Sequence, residues 1–324
     1  MQDRFGRNID YMRISVTDRC NLRCVYCMPE QGVESIPHDE ILSYEEIIRV
    51  VRAAAALGIE KIKITGGEPL VRKGVASLVR MIKETPGIRT VTMTTNGVLF
   101  PQHGNELAEA GLDGVNFSLD SLDKKTFAAL TRFDALESVV EGIHLALRLG
   151  LKTKLNCVPT QLQNSSDWVT IAGLGRDNPL DVRFIEMMPI GLGRDFDTIN
   201  NDIVLAELKS AFGQPVRSAV SHGSGPAVYY DFPGFRGSIG LISALSHSFC
   251  VSCNRIRLTA DGELKPCLCL GGGLALKPLL RSDISDESLK CAIAGVIEDK
   301  PKQHALCEAA NGSSETRKMV QIGG

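Results

Sequence analysis

Short apolar runs rich in β-branched residues, at 13–16, 61–64, 91–94, 115–118, 152–157 and 182–186, alternate with longer amphipathic stretches. Among the latter are 44–57, 75–84, 106–110 and 136–149. Six such alternations predict an α/β fold of parallel βα units, wound as a barrel or an open sheet. Ser43, with Glu46 three residues on, reads as a capping box opening one helix. Gly58, Gly87, Gly111 and Gly150 stand where helices should stop.

The alternation fades after about residue 195, and Ser221-His222-Gly223-Ser224-Gly225-Pro226 marks a loop. Beyond it, 227–230, 238–242 and 256–259 read as short strands, and Asp261-Gly262 as a hairpin turn. The pattern divides the chain into a βα core over 1–215 and a smaller, cysteine-bearing region over 216–324. No internal repeat or low-complexity segment interrupts it.

With 44% hydrophobic and 23% charged residues among 324, the composition is that of a globular protein. A net charge of −2 offers no general attraction to nucleic acid or membrane, and 5% aromatics with one Trp argue against a base-stacking surface. Any phosphate on a substrate must therefore meet a local basic pocket. Residues 1–14 lack the apolar core of a signal peptide, and no run is long enough to span a membrane, so a cytoplasmic location is expected. Ten cysteines are many for such a setting, and clustered ones read first as metal ligands.

Cys20, Cys24 and Cys27 follow the first strand, at the carboxyl end of the expected sheet, where active sites of βα folds gather. Three thiolates on a tight loop can hold three corners of a four-iron cluster and leave one iron open, since an electron carrier would use four. Spacing alone also admits a zinc site. Cys-x₃-Cys-x₂-Cys, with an aromatic before the last Cys, resembles the signature of radical S-adenosylmethionine enzymes. Thr65-Gly66-Gly67-Glu68-Pro69 resembles that superfamily's loop for the methionine amino group.

Cys250, Cys253 and Cys267 form a second constellation, to which His247 or Cys269 could add a fourth ligand. Zinc and iron–sulfur are equally compatible with this spacing. Arg255 and Arg257 share one face of the adjoining strand, and guanidinium forks suit phosphate or a purine edge.

Phe5-Gly6-Arg7, residues 13–20, Ser118-Leu119-Asp120-Ser121-Leu122-Asp123, residues 183–189 and the terminal Gly323-Gly324 make the match specific. Together they resemble the GTP 3′,8-cyclase family of molybdenum cofactor biosynthesis. The resemblance implies an incomplete (β/α)6 TIM-like barrel with a C-terminal region of antiparallel strands. It implies two [4Fe-4S] clusters, on Cys20, Cys24 and Cys27 and on Cys250, Cys253 and Cys267. Tyr26, Gly67, Ser118 and Met188 would contact S-adenosyl-L-methionine. Arg13, Lys63, Thr94, Lys154, Arg255, Ile256 and Arg257 would bind GTP, and Lys63 stands where relatives often carry Arg. Arg13, Arg255, Arg257 and a tail ending in Gly323 and Gly324 would serve catalysis.

By the same resemblance, the 5′-deoxyadenosyl radical takes the ribose 3′ hydrogen of GTP, and C3′ attacks C8. An external electron donor starts the reaction, and a cyclic pyranopterin monophosphate synthase receives the product. The chain itself is expected as a monomer or homodimer. Cys157, Cys291 and Cys307 read as incidental thiols. The rival readings are a radical enzyme that modifies a peptide and a non-enzymatic metal scaffold.

Overall fold

The structure is a computed structural model that describes residues 1–304 and 315–323. Its strands are β1 (Tyr11–Ser15), β2 (Lys61–Thr65), β3 (Thr90–Thr95), β4 (Gly114–Ser118), β5 (Lys152–Cys157), β6 (Asp181–Ile185), β7 (Val216–Arg217), β8 (Val228–Asp231), β9 (Ile239–Ile242), β10 (Arg255–Leu258), β11 (Glu263–Lys265) and β12 (Leu274–Ala275). The helices are α1 (Tyr44–Ala55), α2 (Val75–Lys83), α3 (Phe100–Glu109), α4 (Lys124–Thr131), α5 (Leu136–Arg148), α6 (Ser165–Asp177), α7 (Asn201–Phe212), α8 (Lys277–Leu280), α9 (Asp286–Glu298) and α10 (Met319–Ile322).

One sheet runs in the order β12-β11-β10-β1-β2-β3-β4-β5-β6-β9-β8-β7. From β10 through β9 all neighbours are parallel. Antiparallel strands extend both ends. The ends do not pair with each other, so the arc is an incomplete barrel. The region after 215 joins this arc at both edges, through parallel β9 and β10, and only the flanking strands are antiparallel.

Period-two alternation decides what each strand offers. Met12, Ile14, Ile62, Ile64, Val115, Phe117, Leu155, Val182 and Phe184 point outward and belong to the core beneath the helices. The residues between them point inward and are polar. Ile256 follows the same rule: it is fully buried in that core, on the face opposite Arg255 and Arg257, so its side chain points away from the barrel interior.

The expected local signals are present. The Ser43 amide donates to Glu46 Oε2 at 2.7 Å, and the Glu46 amide to Ser43 Oγ at 3.1 Å. All four helix-stopping glycines have positive φ. Helix α3 begins well before the amphipathic stretch at 106–110, and Pro101 sits in its first turn, where the missing N–H costs nothing. Gly104 within it leaves room for helix packing, since a Cβ there would lie 2.9 Å from Leu145 Cδ2.

Candidate functional site

The loop after β1 carries Cys20, Cys24 and Cys27 at the mouth of the barrel, where all three line one central cavity. The end of α4 holds the loop, with the Arg23 amide donating to Thr131 O at 3.1 Å and the Val25 amide to Leu130 O at 2.9 Å. Arg132 follows, at φ +62°, the one non-glycine residue with positive φ among those described. Its guanidinium donates to the carbonyls of Arg23 (2.7 Å) and Met28 (3.1 Å), on either side of Cys24 and Cys27. Burial pushes the Cys20 thiol up to about 11 and Cys27 up to about 12, with Cys24 also raised. Such thiols are neutral alone and become good ligands only when a metal supplies positive charge. A donor set of three thiols on one loop fits the open-cornered iron–sulfur cluster.

The loop after β2 packs directly on this one. The Gly67 amide donates to Thr17 O at 2.7 Å, and a Cβ on Gly67 would fall 2.5 Å from Arg19 O. The glycine is required by backbone contact, as well as by any ligand. Glu68, pushed up to about 7 by burial, accepts from the amides of Leu70 and Asn96 and from the Thr95 hydroxyl. Tyr26, Ser118 and Met188 also line the cavity. The Tyr26 hydroxyl donates to Asp120 Oδ2 at 2.5 Å, and burial raises Asp120 to about 6.

Cys250, Cys253 and Cys267 line the same cavity. Their electrostatics are opposite to those of the first set. Burial disfavours the Cys253 thiolate, but Arg255 and Lys300 outweigh it and lower the thiol. Burial likewise opposes Cys250, yet hydrogen bonding from His304 and Ser248 brings it to about 7. Cys267 is lowered, first by hydrogen bonding from Cys269 and then by nearby Lys300 and Arg257. His247 lies elsewhere, exposed and 3.5 Å from Asp202; the histidine beside the thiols is His304. Cys157 is buried in the core and Cys291 is exposed, while Cys307 lies outside the described residues.

Arg13, Lys63, Arg183, Arg255 and Arg257 line the same cavity as the two sulfur sets. Burial lowers Lys63 strongly, and neighbouring Arg183 and Arg13 lower it further. Arg257 falls to about 9 by burial and by the charge of Arg13 and Arg255. The carboxylates that reach this cavity are occupied: Asp120 by Tyr26, and Glu186 by the amides of Asn201, Leu245 and Ser246. Concentrated positive charge of this kind suits a polyphosphate. Thr94 Oγ1, Asn156 Oδ1 and Arg183 Nε are buried here with no partner among the described residues, as groups reserved for a ligand would be.

Two residues depart from the sequence reading. Lys154 does not line the cavity; its ammonium pairs with Asp181 Oδ2 at 2.9 Å and donates to the Tyr229 hydroxyl at 3.0 Å. Arg183, on the neighbouring strand β6, does line it, and the Asn116 amide oxygen bridges Arg183 (2.8 Å) and Lys63. Inward alternation along β6 was the signal that could have found Arg183.

The tail enters the barrel. Met319 and Val320 line the cavity, and Ile322 is buried against Ile190 and Cys269. Arg257 Nη1 donates to Gly323 O at 2.9 Å. A Cβ on Gly323 would lie 2.7 Å from Ser15 Cβ, so only glycine fits this approach. Gly324 lies outside the described residues. At the base of the tail, buried Lys265 pairs with Glu315, and Arg317 bridges Glu315 (3.0 Å) and Glu263 (2.5 Å).

Among the described residues no helix is long and apolar enough to cross a membrane. Residues 14–174 match the Radical SAM superfamily, and residues 180–306 match Molybdenum Cofactor Synthesis C. The structure is similar to Streptococcus suis SuiB bound to S-adenosylmethionine, with a TM-score of 0.61 at 15% identity, covering 97% of this chain and 77% of that one. That likeness speaks for the fold. In sequence, the chain is 47% identical over 328 residues to a GTP 3′,8-cyclase of Desulforamulus reducens, and the match covers 100% of both chains. It is 41% identical over 329 residues to one of Clostridium perfringens, again across 100% of each. Full-length identity at this level, over a barrel that gathers both cysteine sets and a cationic cavity, places the chain in the GTP 3′,8-cyclase family of radical SAM enzymes.

Proposed function

We propose that this cavity cyclises GTP to (8S)-3′,8-cyclo-7,8-dihydroguanosine 5′-triphosphate, the first step of molybdopterin cofactor biosynthesis. One observation carries the reading: a single cavity is lined by two three-cysteine sets and a cluster of cations, one of which holds the glycine tail. When bound, the first cluster and S-adenosyl-L-methionine supply a 5′-deoxyadenosyl radical that removes the ribose 3′ hydrogen. Cys20, Cys24 and Cys27 would hold that cluster, and Tyr26, Gly67, Ser118 and Met188 would seat the cofactor.

Arg13, Lys63 and Arg183 face the triphosphate in this scheme, and Thr94 offers its free hydroxyl. Closure of C3′ on C8 is intramolecular, so holding base and ribose in one conformation is the chief contribution of the protein. Arg255 and Arg257 would do this beside Cys250, Cys253 and Cys267, which would hold a second four-iron cluster that helps to bind the guanine. Residues 1–215 then act as the radical core and 216–324 as the substrate-binding region. The reading includes an external electron donor and hand-over of product to a cyclic pyranopterin monophosphate synthase, in the cytoplasm.

The test is an anaerobic incubation with GTP, dithionite and S-adenosyl-L-methionine, followed by mass spectrometry of the nucleotide. The wild-type chain should carry about eight irons, as two four-iron clusters require. Cys24→Ala should abolish cofactor cleavage, whereas Cys253→Ala should retain slow cleavage and lose cyclisation. Cyclisation by Cys253→Ala at the wild-type rate would refute the substrate role of the second set.

A further inference from the structure

Two buried cations have no part in the scheme above. Arg7 is 8% exposed and Lys300 2%. Arg7 Nε pairs with Asp3 at 2.6 Å, and its remaining nitrogens reach four carbonyls. Nη1 donates to Cys250 O (2.8 Å) and Lys302 O (3.1 Å), and Nη2 to Pro301 O (2.7 Å) and Lys300 O (3.4 Å). The Lys300 ammonium donates to Arg255 O at 2.9 Å and Pro266 O at 2.6 Å.

The pattern of acceptors is informative. One carbonyl belongs to Cys250 itself, one lies two residues after Cys253, and one immediately precedes Cys267. Three points of the 250–267 stretch, each next to one of the three thiols, are thus held by donors far away in sequence. Arg7 also binds the carbonyl of Lys300, so the two cations form one connected frame. Both acceptors of Lys300 are neutral carbonyls, which satisfy its donors without cancelling its charge, and it lines the cavity beside the thiols. A buried ammonium is costly, and one retained here stabilises negative charge close by.

We infer that Arg7 and Lys300 are positioning residues for the second sulfur site: Arg7 fixes Cys250, and Lys300 fixes the approach of Cys253 and Cys267 while holding positive charge beside them. The inference rests on the reading of that site as an iron–sulfur cluster. It assigns a role to the Phe5-Gly6-Arg7 segment, which otherwise lies far from the chemistry in sequence.

The experiment uses the full chain, purified and reconstituted anaerobically, with iron and sulfide assays and an EPR-monitored redox titration. Lys300→Met keeps the length of the side chain and removes its charge. The second cluster should then assemble to lower occupancy. What assembles should have a lower midpoint potential, because a nearby cation favours the more negative, reduced state. A merely structural residue would change occupancy and leave the potential in place. Arg7→Lys retains a charge but loses the fork; its second cluster should release iron to a chelator several-fold faster, at unchanged potential. It also keeps the test decisive if Lys300→Met fails to fold. Wild-type occupancy, potential and release rate in these variants would overturn the inference while leaving the second cluster intact. A wild-type chain with only about four irons would instead remove the cluster reading, and the inference with it.

Discussion

Replacing Gly323 by alanine tests the placement of the tail most directly. Gly323 has φ +89° and ψ +100°, a backbone conformation that L side chains avoid. Its added Cβ would also meet Ser15 Cβ at 2.7 Å and Thr65 Oγ1 at 2.9 Å, both on buried residues that cannot withdraw into solvent. Backbone strain of this kind costs about 1–3 kcal/mol. Backing the tail out to relieve it breaks the 2.9 Å bond from Arg257 to the Gly323 carbonyl. A penalty of about 1–3 kcal/mol lowers the docked-to-undocked ratio by about 5- to 150-fold. Cyclisation, followed by mass spectrometry of product, should fall within that range, with iron content unchanged. Adding Ser15→Gly removes the nearest clash and leaves the φ penalty, so the double variant should recover part of the loss. Wild-type turnover by Gly323→Ala would refute the claim that a docked tail completes the site. Loss of iron would refute the claim that it does so without supporting a cluster.

Three further outcomes follow from specific contacts. Arg183→Ala should weaken GTP binding by about 2–5 kcal/mol and reduce its salt dependence, as removal of a buried charge does. Lys154→Ala should cost far less, because Asp181 already neutralises that lysine; equal losses by equilibrium dialysis would contradict this ranking. Arg132→Gly relieves a left-handed strain of about 1–2 kcal/mol and removes the bonds to Arg23 and Met28. Its melting temperature should hold or rise while the first cluster loses iron faster, and an unchanged release rate would count against the clamp. For Glu315, burial alone would raise the carboxyl, but hydrogen bonds from Arg317 and Lys265 outweigh it and bring it to about 2. Because the folded value lies below the ordinary 4.5, its stabilisation is complete above about 4.5 and is lost as pH falls toward 2. The melting-temperature gap between wild type and Glu315→Gln should therefore close on acidification; a gap that stays constant would exclude the linkage.

Much of the fold was legible because it depends on local rules. The βα alternation, the capping box of α1 and the helix-ending glycines are properties of a few neighbouring residues. The hairpin at Asp261-Gly262 is another, with Gly262 at φ +85° between β10 and β11. Helix α3 was legible only over 106–110; its first half places a proline in the first turn and a glycine at a close helix contact. Antiparallel strands were expected in the C-terminal region, and they occur there. That β9 and β10 join the parallel arc was not legible, since a four-residue strand carries no record of which edge it will meet.

The sequence by itself determined the chemistry available: two three-cysteine sets, an arginine pair on one strand face, and a glycine tail. Those are matters of residue type and short spacing. Tertiary structure decided which groups meet. Lys154 and Arg183 are equally basic in sequence, yet β6 brings Asp181 to Lys154 and leaves Arg183 in the cavity. Ile256 lies between two inward arginines and faces the opposite way, because the pleat alternates. The thiols of the two sets have opposite acid strengths, for reasons no cysteine spacing contains: one set is walled by apolar burial and the other by Lys300, Arg255 and His304. Electrostatic environment is summed over neighbours in space: Arg255 is two residues from Cys253, but Lys300 and His304 lie tens of residues from the thiols they act on.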